Sequence, residues 1–350
     1  MAEEWPLYRV IGDGANHPDR VEAEVAKRIY AQMVLLRTFD EKTITLQRQG
    51  RVGTFPPSIG QEAAEIGSAA ALSKDDWMAP SYRDHGALFM HGVPFHHVVL
   101  FAMGKGSSID GEAFVLPSSI PISSHLPHAV GLAMACRRLG EERVAIAYFG
   151  DGGTSEGDFH EALNFAGVFK APVIFFCQNN GWAISVPVSR QTATPTLVQK
   201  SQAYGVHGVR VDGNDALACY QVVAEARERA LGDGGPTMIE ALTYRIGPHT
   251  TADDPTRYRP PESLAPWTGD NDPLVRLAQY LVQRGVMTVE EPPAIWAEAR
   301  QRVNRAVEEA LNSPPVRKEA MFDSVYAEVP DALAAQMEDL AEEEAPDARN

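Results

Sequence analysis

Short apolar segments alternate with helical patterns through the middle of the chain, and this alternation constrains the fold most. Residues 143–149, 172–177 and 237–243 are rich in β-branched and aromatic residues, which favour strands. Residues 155–169 and 215–231, which lie between these segments, have the composition of helices. Strands that are apolar throughout need cover on both faces. We therefore predict an α/β fold whose central, mostly parallel sheet has helices on both faces.

The rest of the chain divides into segments around this predicted α/β domain. Residues 1–50 predict an N-terminal region, in which a polar arm over about residues 1–20 precedes a long amphipathic helix. The α/β domain is expected to cover residues 51–265. Residues 266–335 predict a C-terminal helical extension, and residues 336–350 an acidic tail that we expect to fray.

Composition narrows the classes of function. The 350-residue chain has a formal net charge of −16, which argues against a general binder of nucleic acid or of an anionic membrane surface. Cys136, Cys177 and Cys219 lie far apart in apolar contexts, so we expect reduced, buried thiols and no cysteine-based zinc site. The N-terminus is unlike a secretory signal, and no run of about 18 apolar residues occurs. We therefore expect a cytoplasmic protein without a membrane span.

One segment between two predicted strands has the features of a site for a metal and a diphosphate. Asp151, within a Gly-Asp-Gly turn, follows the first strand directly, and Asn180 follows the second. The carboxyl ends of parallel strands meet at one edge of a sheet, where open α/β proteins bind ligands. Carboxylate and amide oxygens are ligands that suit Mg²⁺. The glycine turn also opens a helix, and the N-terminus of a helix favours phosphate.

Other interpretations of this segment are weaker. A Gly-Asp-Gly turn or an Asn-Asn-Gly turn alone is usually an ordinary loop, but in this chain each follows an apolar strand and one helix separates them. A dinucleotide-binding fingerprint is not satisfied, because Ser155 occupies the position of its third glycine. No Gly-Lys-Ser or Gly-Lys-Thr triplet of a nucleotide-binding P-loop occurs in the sequence.

The segment from Gly150 to Asn180 resembles the thiamine diphosphate motif. Four further stretches follow the order of one family: TFPPSIGQEA from Thr54, SYRDHG from Ser81, SHLPHAVG from Ser124 and TYRIGPHTTADDPTRYR from Thr243. Over about residues 21–328, the chain resembles the alpha subunit of the decarboxylating first component of 2-oxoacid dehydrogenase complexes. The last stretch is similar to the branched-chain 2-oxoacid members in particular.

This resemblance implies the thiamine diphosphate-binding fold, with thiamine diphosphate and magnesium as cofactors. It implies metal binding by the side chains of Asp151 and Asn180 and by the backbone carbonyl of Trp182. It places His249 and Tyr82 beside the reacting atoms, as catalytic residues. The positions that match the cofactor-binding residues of the family are Tyr82, Arg83, Ile120, Ile122, Asp151, Gly152, Gly153, Gln178, Asn180 and His249.

The chain departs from the family pattern at two groups of positions. A potassium ion is implied at Ser119, Pro121, Ser124 and His125, but His125 replaces a glutamine ligand, so this site stays open. Gln178 replaces an arginine that reaches the diphosphate in some relatives.

Two further segments are a stretch that is shorter than in the family and the loop around His249. The segment 104–114 is shorter than its counterpart in the family, so little can be transferred there. Arg245, Asp253, Asp254 and Tyr258 are expected to order the loop around His249 through ion pairs and hydrogen bonds. Thr250 takes the place of a phosphorylated serine of mammalian relatives, and we infer no regulation from a hydroxyl group alone.

The resemblance also implies an activity and partners. The activity is oxidative decarboxylation of a 2-oxoacid, branched-chain by first preference, with transfer of the acyl group to lipoyl-lysine. The partners are a beta subunit, in an α2β2 heterotetramer, and a lipoyl acyltransferase, because we find only one α/β domain and the cofactor needs two. The alternatives are a pyruvate or acetoin dehydrogenase alpha subunit, or a non-catalytic subunit that binds its partner but no cofactor.

Overall fold

A computed structural model describes residues 5–12, 14–106, 114–317, 319–323 and 326–344 of the chain. The chain divides into two compact units, Met1–Ala310 and Leu311–Asn350. Most of the shortened segment at 104–114 lies outside the described residues. The predicted domain boundaries at 50/51 and 265/266 stay predictions.

The strands and the helices as far as Ala310 lie in the first unit. The strands are β1 Leu7–Tyr8, β2 Trp77–Ala79, β3 Ala145–Gly150, β4 Val173–Asn179, β5 Trp182–Ala183, β6 Val186–Pro187, β7 His207–Asp212 and β8 Thr237–Leu242. The helices are α1 Ala23–Arg48, α2 Glu62–Ala70, α3 His85–His91, α4 Phe95–Ala102, α5 Leu126–Leu139, α6 Gly157–Phe169, α7 Ala216–Leu231, α8 Pro273–Gln283 and α9 Glu291–Asn312. The predicted central strands and helices are confirmed, with ends that differ by a few residues.

The central sheet is parallel throughout. Among the described residues it has six strands in the order β1-β7-β8-β4-β3-β2, and each neighbouring pair is parallel. β5 and β6 form a separate antiparallel hairpin. The α/β prediction is therefore confirmed. The carboxyl ends of β8, β4, β3 and β2, four adjacent strands, lie along one edge of the sheet.

Side chains that alternate along the central strands separate two layers of core. Phe149 of β3 and Phe175 of β4 belong to a buried cluster with residues of α5 and α6. Tyr148 is directed to the opposite face, where its hydroxyl oxygen lies 2.9 Å from Ser68 Oγ of α2. α2 in turn packs against α7. Helices thus cover both faces of the sheet, which explains why the strand sequences contain no polar face.

Two residues of the N-terminal arm, Leu7 and Tyr8, join the sheet, which the sequence did not predict. β1 pairs with β7, so that Leu7 lies opposite Arg210 and Tyr8 opposite Val211. The carboxylate of Asp215, just before α7, accepts the backbone N–H groups that follow β1. A strand of two residues is too short to show a periodic pattern, so β1 is defined only by its pairing with β7.

Several short elements were not predicted. β2 has three residues, and α3 and α4 have seven and eight, all of them in the stretch between residues 77 and 102. The three residues of β2 contain about one and a half repeats of a strand pattern, and α3 and α4 each contain about two turns of helix, so their sequence patterns are weak. They matter for the site because β2 and α3 position residues 81–85.

The second unit contains two helices among its described residues, α10 at Ala320–Asp323 and α11 at Asp331–Glu344. The expectation that the tail frays from residue 336 is therefore wrong for residues 336–344, which continue α11. Ala, Leu and Glu, which are strong helix formers, dominate that segment. Residues 345–350 lie outside the described residues.

Two predictions from composition concern membrane spans and the state of the cysteines. None of the helices in the described part of the chain has the length and apolar composition that a membrane crossing requires. Cys136, Cys177 and Cys219 are free and buried, as expected.

Candidate active site

A cavity of about 700 Å³ opens at the carboxyl ends of β2, β3, β4 and β8. Its wall combines residues that follow each of these strands, since the chain turns away from the sheet at this edge. Most of the residues predicted as a site line this cavity, namely Tyr82, Arg83, Ile120, Ile122, Asp151, Gly152, Gly153, Gln178, Asn180, Trp182 and His249. The tertiary structure therefore brings the predicted cofactor and metal residues together.

Asp151 is a buried carboxylate at the end of β3, with 1% of its surface exposed. Its Oδ2 accepts a hydrogen bond of 2.6 Å from Gln191 Nε2. The backbone N–H of Asn180 also donates to this carboxylate. Burial raises the pKa of Asp151, and hydrogen bonds of this kind lower it only in part. Within the described residues, Asp151 forms no ion pair, so a cation at this position would stabilise its charge.

Asn180, at the end of β4, is held by hydrogen bonds at both ends of its amide. Nδ2 donates to Gln61 Oε1 at 2.8 Å, and Oδ1 accepts the backbone N–H of Trp182 at 3.1 Å. The carbonyl of Trp182 accepts from Arg245 Nη1 at 3.2 Å and retains a second lone pair. Of the three predicted metal ligands, Asn180 and Trp182 thus lie two residues apart after β4, and Asp151 follows the neighbouring strand β3.

The glycine turn between β3 and α6 packs closely against its neighbours. A Cβ on Gly152 would lie 2.8 Å from Ala183 Cβ, and one on Gly153 would lie 2.7 Å from Ser123 Oγ. Both distances are shorter than packing permits, so these positions favour glycine. Both glycines also line the cavity, where backbone N–H groups of the turn could bind a phosphate.

Arg83 lies in the cavity wall and is largely buried, with 5% of its surface exposed. Nη1 donates to the carbonyl of Pro57 at 2.6 Å, and Nη2 donates to the carbonyl of His249 at 2.9 Å. Nη2 also lies 3.1 Å from His249 Nδ1. The guanidinium is 5.6 Å from the ring centre of Tyr82, which positions one positive charge beside the cavity.

His249 is neutral in this environment. Burial, followed by the charges of Arg83 and Arg245, lowers its pKa to about 4. Because a guanidinium can only donate, the contact with Arg83 makes Nδ1 the acceptor and leaves the proton on Nε2. Tyr82 packs edge-on against the imidazole, with ring centres 6.0 Å apart.

The loop that contains His249 is tied down as expected. Asp253 Oδ2 accepts the backbone N–H of His249 at 2.7 Å and the hydroxyl of Tyr258 at 2.6 Å. Arg245 donates to the Tyr258 hydroxyl oxygen at 2.9 Å and to the carbonyl of Ile184 at 2.6 Å. This loop therefore connects the end of β8 to the β5–β6 hairpin.

Ile120 and Ile122, two of the predicted cofactor-binding residues, lie at the mouth of the cavity. Ile120 and Ile122 line it, yet 62% and 42% of their surfaces are exposed. Ile184 of the β5–β6 turn is 57% exposed and has a φ of 54°, a conformation that β-branched residues rarely adopt. An apolar rim of this kind is typical of a surface that another molecule covers.

The four candidate potassium residues separate into two groups. Ser119 Oγ lies 2.8 Å from Ser124 Oγ, and both hydroxyl groups lie 3.0 Å from the carbonyl oxygen of Pro121. His125 Nε2 instead donates to the carbonyl of Tyr148 at 2.7 Å, inside the core. The potassium ion stays a prediction, which three oxygen atoms support and His125 does not.

Three polar residues that contact predicted site residues were not themselves predicted from the sequence. Gln61 and Asp84 occur within stretches that mark the family, but nothing in their pattern indicated that they contact Gln178. Gln191, which contacts Asp151, had no signal in the sequence. Each of these contacts joins residues more than 30 positions apart, so periodicity and spacing could not show them.

The donors at this site suit a hard cation with few protein ligands. Within the described residues, no cluster of three or more His, Cys, Asp or Glu side chains is arranged to hold a metal. Zinc-type coordination is therefore not supported there. One carboxylate, one amide oxygen and one carbonyl match Mg²⁺, which takes its remaining ligands from phosphate and water.

Comparison with known proteins identifies the family of the chain. The profile of the family described as dehydrogenase E1 component matches residues 30–319. The 3-methyl-2-oxobutanoate dehydrogenase subunit alpha of Mycobacterium tuberculosis is 46% identical over 347 residues, which cover 97% of this chain and 94% of that protein. The pyruvate dehydrogenase E1 component subunit alpha of Staphylococcus aureus is 42% identical over 330 residues, or 93% of this chain and 89% of that protein. The chain belongs to the dehydrogenase E1 component family.

Proposed function

We propose that this chain is the alpha subunit of a branched-chain 2-oxoacid dehydrogenase and binds thiamine diphosphate through Mg²⁺. The family as a whole depends on thiamine diphosphate. The observation that carries the proposal is the meeting of Asp151, Asn180 and the Trp182 carbonyl beside a glycine turn. The buried carboxylate of Asp151 forms no ion pair among the described residues, so bound Mg²⁺ would stabilise its charge.

The protein groups around the cavity orient the substrate and hold protons in defined places. When bound, thiamine diphosphate supplies the electron sink that the loss of carbon dioxide from a 2-oxoacid requires. His249 keeps its proton on Nε2 near neutral pH, because its pKa is about 4 and Nδ1 faces Arg83. It can therefore donate a hydrogen bond to negative charge that develops on a substrate oxygen. Arg83 and Arg245 add positive charge beside it, which favours an anionic substrate.

The branched-chain preference is supported by similarity and by the loop after β8. The Mycobacterium tuberculosis protein, named for a branched-chain 2-oxoacid, is 46% identical, against 42% for the pyruvate-named protein of Staphylococcus aureus. The Arg245–Asp253–Tyr258 hydrogen bonds order the stretch whose sequence resembles branched-chain members. Pyruvate is the second candidate, since proteins named for it match nearly the whole chain.

The proposed partners are a beta subunit, in an α2β2 assembly, and a lipoyl acyltransferase that accepts the acyl group. The exposed apolar side chains of Ile120, Ile122 and Ile184 at the cavity mouth support a covering partner. The chain itself supplies one α/β sheet in its described residues, so the other half of the cofactor needs a second domain.

Two measurements test this function. Calorimetry of the full chain with its beta subunit should show saturable, Mg²⁺-dependent binding of thiamine diphosphate, and no saturable heat would contradict the cofactor proposal. Reductive acylation of a lipoyl domain should then proceed with a kcat/KM at least about tenfold higher for 3-methyl-2-oxobutanoate than for pyruvate. A preference for pyruvate would make the second candidate correct, and activity with neither would favour a non-catalytic subunit.

A further inference from the structure

Four buried side chains in the wall of the cavity form a line of hydrogen bonds that begins at Asn180. Asn180 Nδ2 donates to Gln61 Oε1 at 2.8 Å, and Gln61 Nε2 donates to Gln178 Oε1 at 2.9 Å. Gln178 Nε2 donates to Asp84 Oδ1 at 2.5 Å. None of the four is more than 6% exposed. We call this line the amide relay; every link in it points the same way.

The direction of the amide relay is decided at Asp84. An amide side chain can turn either its oxygen or its nitrogen to a neighbour, whereas an ionised carboxylate only accepts. Oδ2 of Asp84 already accepts the backbone N–H of Ser81 at 2.6 Å and its hydroxyl at 2.8 Å. Gln178 must therefore turn its NH₂ group to Oδ1. The side-chain oxygen of Gln178 then faces Gln61, whose NH₂ group must donate to it. The side-chain oxygen of Gln61 therefore faces Asn180, which must donate to it through Nδ2.

The hydrogen bond between Asn180 and Gln61 determines which way the Asn180 amide is turned in the cavity wall. Because Nδ2 is held by Gln61, Oδ1 lies on the side of the Trp182 backbone, whose N–H it accepts at 3.1 Å. A reversed amide would place two oxygens 2.8 Å apart at Gln61 and turn an NH₂ group toward the Trp182 N–H. A metal ion can bind the oxygen of an amide but not its NH₂ group.

We propose that Asp84 is a positioning residue, which acts through Gln178 and Gln61 to turn the oxygen of Asn180 toward the metal site. The inference rests on the proposed function in one respect, because it takes Asn180 as a metal ligand. The orientation of the amide itself is independent of any metal. Residues outside a ligand set commonly change metal affinity by about 10- to 100-fold when they fix a ligand.

The variant Asp84→Asn tests the direction of the relay. Its new amide keeps the oxygen for the two Ser81 donors and turns NH₂ toward Gln178, so each amide along the line should reverse. Mn²⁺, titrated by electron paramagnetic resonance in the presence of thiamine diphosphate and the beta subunit, should bind about 10- to 100-fold more weakly. Affinity equal to that of the unmodified chain would overturn the proposal.

A second substitution should restore the direction. In the double variant Asp84→Asn/Gln178→Glu, the new carboxylate at 178 accepts both from the amide at 84 and from Gln61. Gln61 again offers its oxygen to Asn180, and the total charge equals that of the unmodified chain. Because Gln178 also lines the cavity in which the diphosphate would bind, rescue is measured without metal or cofactor, as a return of Trp182 backbone N–H exchange to that of the unmodified chain. A purely structural role of Asp84 predicts no rescue, so a double variant whose Trp182 N–H exchanges as fast as in Asp84→Asn would contradict the relay.

Hydrogen exchange gives a readout that needs no metal. The Trp182 backbone N–H, which Asn180 Oδ1 accepts, should exchange faster in Asp84→Asn and recover in the double variant. If the unmodified chain binds no Mn²⁺, the proposed function fails, while the exchange pattern still decides the relay. Unchanged exchange at Trp182 in Asp84→Asn would overturn it.

Two further variants serve as a control and an alternative. Asp215→Asn is a matched control, because Asp215 is equally buried and accepts backbone N–H groups, yet does not line the cavity. It should leave Mn²⁺ affinity unchanged. If Asp84→Asn does not fold, Gln178→Met interrupts the relay at its centre and should also weaken Mn²⁺ binding and speed exchange at Trp182. A Gln178→Met chain that matches the unmodified one in both measurements would overturn the relay.

Discussion

Asp151 and His249 are held in environments that disfavour their charged forms. Burial raises the pKa of Asp151 and, with two neighbouring arginines, lowers the pKa of His249 to about 4. In the absence of a ligand these environments cost stability, because water would solvate either charge better. Ionisable groups perturbed in this way and gathered in one cavity are typical of functional sites.

The first prediction at this scale concerns Asp151. Asp151→Ala should lower the Mg²⁺-dependent affinity for thiamine diphosphate by at least about 100-fold, because the only carboxylate of the ligand set is lost. Asp151→Asn should have a similar effect on affinity. It should not lower the free energy of unfolding of the ligand-free chain, since the buried carboxylate has a raised pKa. Calorimetry and urea unfolding measure the two effects, and undiminished affinity would exclude Asp151 as a ligand.

The second prediction concerns pH. A histidine with a lowered pKa takes up its proton more readily in the unfolded chain, so it destabilises the fold as pH falls from about 6.5 to about 4. His249→Gln should therefore reduce the loss of unfolding free energy between these pH values. Urea unfolding at a series of pH values checks this. An identical pH dependence in both chains would show that burial and the two arginines do not keep His249 neutral.

At the scale of elements, the site depends on how closely helices approach one another behind it. A Cβ on Gly67 of α2 would lie 2.4 Å from the carbonyl oxygen of Ala216, the first residue of α7. A Cβ on Gly167 of α6 would lie 2.1 Å from the carbonyl oxygen of Tyr204. Backbone atoms cannot yield as a flexible side chain can. These glycines therefore allow α2 to lie close to α7, and α6 close to Tyr204, and so position the Gln61 end of α2 and the turn before α6.

The third prediction follows from this packing. Gly67→Ala should lower the free energy of unfolding by about 1–3 kcal/mol, because the overlap outweighs the higher helix propensity of alanine. Gly131→Ala is the matched control within α5, where a Cβ meets no atom within 4 Å. That control should gain up to about 1 kcal/mol. Denaturant unfolding compares them, and a stabilised Gly67→Ala would show that α2 and α7 separate easily.

At the scale of the whole molecule, the chain presents an apolar surface around the open cavity. Ile120, Ile122, Ile184 and Val186 are each at least 42% exposed, and the last two belong to the short β5–β6 region. Neighbouring apolar side chains that are exposed on a surface are typical of an interface, where a partner removes them from water. The proposed beta subunit would cover this rim and enclose the cavity at once.

The fourth prediction tests this partner surface. Val186→Asp should weaken assembly with the beta subunit by at least about tenfold, since a charge would lose its water in the interface. Val289→Asp is the control, because Val289 is 68% exposed and lies between α8 and α9, outside the β5–β6 region. Size-exclusion chromatography over a dilution series measures both. Equal assembly of the two variants would place the interface elsewhere.

The sequence by itself determined the alternation of strands and helices, and with it the parallel sheet. Asp151 and Asn180 follow neighbouring apolar strands, so their meeting at one sheet edge could be predicted from order alone. The motifs around them indicated the family. The arm could not be predicted as a strand, because β1 has two residues and is defined only by its pairing with β7.

Only the tertiary structure decided how the site residues are supported. Gln191 meets Asp151, and Gln61 joins Asn180 to Gln178, across distances in sequence that no local pattern spans. The protonation of His249 likewise depends on arginines from two different loops. The physical reason is common to these cases. Strand and helix patterns are set by neighbours along the chain, whereas hydrogen-bond direction and charge are set by neighbours in space.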